Sequence, residues 1–207
     1  MPRHVDVYFS TVSPWAYLGH EPFMDLVGRR GLTVGWRPLS LGPLFSETGG
    51  LPLGKRSLQR RRYRDVELQR WAQKRGRPLN LRPKHWPFDG ALADAAVLAI
   101  VALGEDPATF AGAAMRGVWE EERDLGSRET IAGLLSAAGH DAEAVLATAA
   151  GEGVATAYEL NRVAGQDFGV FGSPTYVLDG EVFWGQDRLD LLDDALESGR
   201  PPFSHLD

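Results

Sequence analysis

The segment of this 207-residue chain best suited to chemistry is Ser13-Pro14-Trp15-Ala16, where a hydroxyl is followed at once by a proline of the kind that opens helices. A serine in that place caps the helix with its side-chain oxygen. The free backbone N–H groups and the positive end of the helix dipole then face whatever binds beside it. Two later segments carry similar groups: Ser173-Pro174, within Gly169-Val170-Phe171-Gly172-Ser173-Pro174-Thr175, and Gln186-Asp187, within Gly185-Gln186-Asp187-Arg188. Each has a plain structural account when read alone. Ser-Pro is a good cap pair, Gly-Ser-Pro an ordinary turn, and Asp a frequent N-cap.

The composition excludes several chemistries. There is no cysteine, so disulfides, thiolate metal sites, cysteine nucleophiles and dithiol redox chemistry are all ruled out. His4, His20, His85, His140 and His205 are scattered without ligand spacing, so no metal site is expected. Neither a phosphate loop nor a dinucleotide fingerprint occurs. Net charge is −6, yet 12 of the 22 Lys and Arg residues lie between Gly54 and Lys84. The acidic remainder argues against nucleic acid as a partner. A solvated basic helix with one or two arginines turned towards a small anionic ligand fits better. No segment has the apolar length of a membrane span and the start lacks a secretion pattern, so a cytoplasmic location is expected.

The elements that would position these residues follow from periodicity. His4 to Phe9 alternates as a strand, Pro14 onwards carries helical spacing as far as Gly28 and Gly31, and Leu32 to Arg37 is a second strand, making a βαβ unit. Pro38 to Lys55 reads as a long irregular loop. Helices are expected over Ser57 to Arg75, Gly90 to Leu103, Pro107 to Leu125, Thr130 to Ala138, Asp141 to Ala150 and Gly153 to Phe168. Thr175 to Leu178 and Glu181 to Trp184, joined by Asp179-Gly180, form a hairpin, and a helix over Asp187 to Glu197 closes the chain.

This order, βαβ, helices, then ββα, predicts an α/β thioredoxin-like fold with a large all-helical insert. The thioredoxin-like part is residues 1–56 with 165–207, and the insert is 57–164. The run from Ser13 to Gly19 resembles the Cys-Pro-Trp-Cys-Tyr-Leu-Gly segment of DsbA-like proteins, with Ser13 and Ala16 in place of the two cysteines. It resembles still more closely the Ser-Pro-aromatic-Ser-Tyr-Leu segment of 2-hydroxychromene-2-carboxylate isomerases and kappa-class glutathione transferases. The Ser173-Pro174 segment resembles the thioredoxin Val-x-Gly-x-Pro segment, which implies a cis proline. Arg37 to Phe45 and Tyr63 to Ala72 resemble the isomerase loop and the helix after it.

The resemblance implies a glutathione cofactor, or another low-molecular-weight thiol, with Ser13 at the point of thiol activation. Gln186 and Asp187 fall where kappa-class enzymes hold the γ-glutamyl end, Ser173 and Pro174 form a second wall, and Arg60 aligns with a lysine that meets the glycyl carboxylate. Trp15, His85 and Asp89 are expected at the substrate pocket, although His85 suits ordinary packing equally well. Gly50 and Asp89 replace two family asparagines. The activity implied is reversible thiolate addition to a small aryl pyruvate-type substrate, giving cis–trans isomerisation. A kappa-like transferase or peroxidase and a non-catalytic thioredoxin-fold binding module are the alternatives. Relatives of this kind imply a homodimer.

Overall fold

The computed structural model describes residues 3–87 and 89–204. Its sheet has the order β2-β1-β3-β4, built from β1 (His4–Phe9), β2 (Thr33–Pro38), β3 (Thr175–Leu178) and β4 (Glu181–Trp184). β1 runs parallel to β2 and antiparallel to β3, and β3 runs antiparallel to β4. The parallel pair needs a crossover, which α1 (Pro14–Arg30) supplies. α1 starts where the sequence places its cap: the Ser13 Oγ accepts the Ala16 N–H at 3.2 Å and Pro14 takes the first helical position. It stops at Gly31, whose φ of 61° only glycine adopts without penalty.

Between β2 and β3 come α2 (Leu41–Glu47), α3 (Leu58–Arg75), α4 (Ala91–Ala102), α5 (Ala108–Trp119), α6 (Arg128–Ala137), α7 (Ala142–Ala149) and α8 (Glu152–Asp167), and α9 (Leu189–Ser198) ends the chain. β1 explains the layering, because its side chains alternate between two faces. Val5, Val7 and Phe9 enter a main core with α1, α4 and α5, whereas Tyr8 enters a smaller cluster with Leu39, Leu44, Val170 and Val177. β3 is buried at all four positions, as befits an interior strand covered on both faces.

Three segments depart from the sequence reading. The stretch expected to be an irregular loop from Pro38 to Lys55 holds α2 and a 3-10 turn at Leu53–Lys55. Gly42 and Pro43 hide the helix in the sequence, but Leu44 is fully buried beside Tyr8 and packing fixes the turn. The helix expected to reach Leu125 stops at Trp119, whose carbonyl accepts the Asn80 N–H at 2.6 Å, and Glu122 takes a φ of 57°. The closing helix starts at Leu189. Residues Gln186–Arg188 instead form a 3-10 turn that Asp187 does not cap.

Among the described residues, no helix is long and apolar enough to cross a membrane and no group of His, Asp or Glu is placed to hold a metal ion. His205 lies outside the described residues.

Candidate active site

The loop Ser10–Ser13 lies between the end of β1 and the start of α1, so the sheet sets its origin and the helix its exit. The Ser13 N–H donates to the Ser10 carbonyl at 3.0 Å, closing the loop into a turn. Ser13 is 4% exposed, and its hydroxyl both accepts from Ala16 and donates to the Ser173 carbonyl at 3.1 Å. Ser173 returns a second link, its Oγ accepting the Ser10 N–H at 3.1 Å. The Ser173–Pro174 bond is cis, as expected from the resemblance, and so is Trp86–Pro87, which the sequence did not suggest.

The third segment joins the same assembly. The Pro174 carbonyl accepts the Gly185 N–H at 2.9 Å, which ties the turn holding Gln186 and Asp187 to the residue beside Ser173. The turn also lies against α1. A Cβ on Gly19 would sit 2.7 Å from the Gln186 Cβ, so glycine allows the close approach. Gln186 is buried, and Arg75 from α3 holds it twice, with Nε on its side-chain oxygen at 2.9 Å and Nη2 on its carbonyl at 3.0 Å. Asp187 is more open and pairs with its neighbour Arg188 at 2.5 Å.

Beneath the loop sits a carboxylate that the sequence reading passed over. Asp94 of α4 is fully buried and accepts the Thr11 N–H at 2.8 Å, the Ser10 hydroxyl at 2.9 Å and the Tyr158 hydroxyl at 3.0 Å. Burial pushes its pKa up to about 6, against the pull of these donors. Tyr158, from α8, is raised as well, by its own burial first and then by Asp94. The signal was present in Ala91-Leu92-Ala93-Asp94-Ala95-Ala96-Val97-Leu98, a helix whose lone charge falls on its buried face. A charge there must have partners, and the Ser10–Ser13 loop provides two of the three.

A proline-adjacent serine at a helix start, a Ser-Pro just before the neighbouring strand β3 and a βαβ–helices–ββα order all point one way. The family model for a DSBA-like thioredoxin domain matches residues 4–197. The chain belongs to the DsbA-like thioredoxin family. It is 30% identical over 201 residues to the 2-hydroxychromene-2-carboxylate isomerase of Sphingobium xenophagum, covering 95% of this chain and 99% of that protein. It is 26% identical over 216 residues to glutathione S-transferase kappa 1 of Caenorhabditis elegans, covering 97% and 93%. A solved 2-hydroxychromene-2-carboxylate isomerase superposes with a TM-score of 0.81 at 27% identity, covering 94% of this chain and 95% of that one.

In this DsbA-like chain the remaining expected site residues are placed as follows. Trp15 is half-buried against the main core. Asp89 is exposed, with Oδ1 accepting the Ala91 N–H at 2.9 Å. It thus turns the chain into α4, whose N-cap is Gly90; a Cβ on Gly90 would strike Val12, so the helix start abuts the Ser10–Ser13 loop. His85 is partly exposed, with Asp124 3.9 Å from its Nδ1. Arg60 is exposed in the first turn of α3, its N–H on the Ser57 Oγ at 3.4 Å. Hydrogen bonds therefore join Ser13, Ser173, Pro174 and the Gln186–Asp187 turn, while Arg60 on α3 and His85 in the segment before α4 have no such link among the described residues.

Further along α1 from Ser13, a cleft of about 330 Å³ lies between α1 and α5, lined by Tyr17, His20, Met24, Arg77 and Arg116 among others. Burial pushes His20 down to about 4 and the Tyr17 hydroxyl up to about 12. The Tyr17 hydroxyl is already engaged, to the Pro78 carbonyl at 2.7 Å and Glu120 at 3.0 Å.

Proposed function

We propose that this protein is a glutathione-dependent isomerase acting on an aryl pyruvate-type substrate, with Ser13 as the thiol-activating residue. The observation that carries this reading is the buried Ser13 hydroxyl at the positive end of a 17-residue helix, in a chain with no sulfhydryl of its own.

The residues fit a small thiol with one amino and two carboxylate groups. Ser13 has a single hydrogen to give and at present gives it to the Ser173 carbonyl; rotation about its side-chain bond directs it to a sulfur instead. The helix start favours the anionic form of that sulfur and lowers its pKa. The exposed Arg60 suits a terminal carboxylate, and the half-exposed Asp187 suits an ammonium group. Ser173 presents backbone groups beside the helix start. When bound, glutathione supplies the thiol that adds reversibly to a conjugated double bond, so that the bond can rotate before the thiol is released unchanged. In this reading residues 1–56 and 165–207 hold the thiol, and the insert 57–164 closes the substrate side with Trp15, His85 and Asp89 around the pocket.

The test is titration of the glutathione thiol by its ultraviolet absorbance in the presence of wild type and of Ser13→Ala. Wild type should hold the thiol deprotonated near neutral pH and Ser13→Ala should not; identical titrations would remove Ser13 from the mechanism. The kappa-class relative supports a second reading, a glutathione transferase. Net loss of glutathione with a simple electrophile marks the transferase, and turnover without loss marks the isomerase. If calorimetry shows peptide binding and no thiol binding, the binding-module alternative replaces both.

A further inference from the structure

Most arginines of α3 lie in solvent, but Arg64 does not. It occupies the side of the helix shared, at four-residue steps, with the buried Leu68 and Ala72, and only 12% of its side chain is exposed. A guanidinium carries five N–H donors. Among the described residues Arg64 makes no hydrogen bond, and the nearest carboxylate oxygen, Asp65 Oδ1, is 3.8 Å away. That carboxylate is already occupied, since Arg82 holds both of its oxygens at 3.3 and 2.6 Å.

The neighbourhood adds positive charge. Arg60 lies one turn earlier on the same side of α3, and Arg56 precedes the Ser57 cap. Arg56 is fixed by its Nε–H on the Leu51 carbonyl at 2.7 Å and by lying over the Phe45 ring at 5.7 Å, so its charge has a rigid mount. Its field reaches Arg64, and that of Arg60 reaches Arg56. Burial depresses the pKa of Arg64, with Arg56 and Arg82 adding to it and Asp65 opposing, as befits a cation whose neighbouring carboxylate is already held by Arg82. The positive end of the 18-residue α3 opens on the same corner. Arginine is the side chain best shaped to take two oxygens of one group at once.

We propose that Arg64, supported by Arg56 and Arg60, forms a binding subsite for an oxyanion, a carboxylate or phosphate group of a small ligand. Arg60 enters the functional reading above; Arg64 and Arg56 are new to it, and the subsite stands whether or not the bound thiol is glutathione.

The experiment is thermal unfolding of the full chain at constant ionic strength, titrated separately with inorganic phosphate, pyruvate and glutathione, for wild type, Arg64→Met, Arg64→Lys and the exposed control Arg61→Met. Wild type should show a saturable rise in Tm with at least one of these anions. Arg64→Met should need at least about tenfold more anion, Arg64→Lys should fall between, and Arg61→Met should match wild type. Without anion, Arg64→Met should unfold no earlier than wild type, because methionine keeps the stem and removes a largely buried charge whose 3.8 Å contact with Asp65 is weak and shared with Arg82.

Phosphate alone acting identifies a phosphate group; pyruvate acting identifies a carboxylate. Equal shifts in wild type and Arg64→Met, no saturable shift in wild type, or an Arg64→Met protein that is simply less stable would each overturn the proposal. If glutathione gives no shift while phosphate or pyruvate does, the subsite survives and the glutathione reading fails.

Discussion

The Ser13 hydroxyl donates to the Ser173 carbonyl across 3.1 Å, joining the start of α1 to the residue before the cis proline, while the Ser173 hydroxyl accepts from the backbone at Ser10. Two serines thus bind the two halves of the fold reciprocally at the point where a thiol is proposed to sit.

Ser13→Ala should lower stability as well as thiol activation. The substitution removes a cap and a buried hydrogen bond, which together are worth about 1–2 kcal/mol. Urea unfolding should show that loss with an unchanged slope. A variant as stable as wild type would mean that the cap contributes nothing here.

Asp94→Asn should change how stability depends on pH. Asp94 has its pKa raised in the native state from 3.8 to about 6, so its contribution is greatest at low pH and fades as pH rises through that window. His20 has the opposite sign: lowered from 6.5 to about 4, its contribution is full above 6.5 and fades as pH falls towards 4. In wild type the two run against each other. Without Asp94, His20 acts uncompensated, and the acid-side loss between pH 6.5 and 4 should exceed that of wild type by about 2 kcal/mol. Parallel profiles for the two proteins in urea unfolding at four pH values would contradict this.

Arg75→Met should loosen the turn at Gln186. Two charge-assisted hydrogen bonds are lost, at a cost of about 2 kcal/mol, and methionine retains part of the contact with Trp71. Amide exchange at Gly185 and Gln186 should quicken, and glutathione affinity should fall through Asp187. Unchanged exchange in that turn would show that Arg75 does not hold it.

Gly19→Ala sets two effects against each other. Alanine is the better helix former by up to about 1 kcal/mol, but its Cβ would lie 2.7 Å from the Gln186 Cβ and 3.0 Å from the Tyr176 hydroxyl. Overpacking of that kind costs about 1–3 kcal/mol, so a net loss is expected in the thermal midpoint.

The βαβ and ββα halves were readable because their signals are local: alternation in His4–Phe9, the Ser-Pro cap, and Asp179-Gly180 between two short strands. α2 was not, since Gly42 and Pro43 carry no helical preference and only the burial of Leu44 against distant Tyr8 reveals it. The same contrast holds in the site. Ser13, Ser173 and Gln186 stand in recognisable short segments. Asp94 is a single acid in an alanine-rich helix, and its importance lies in three donors from residues 10, 11 and 158. Likewise Arg64 looks like its neighbours in a basic run, and only its depth in the protein and the capture of Asp65 by Arg82 set it apart.

The long helical segment between β2 and β3 also fixes when the site can exist. Ser13 and its partner are 160 residues apart in the chain, and the central strand β1 pairs with β3 only near the carboxyl end. During synthesis the amino-terminal βαβ unit must therefore wait, with one edge of β1 unpaired, until Thr175, Tyr176 and Val177 of β3 have emerged. A product that stops before Ser173 retains Ser13 but has no carbonyl opposite it, so this junction forms only after the second half of the fold has been made.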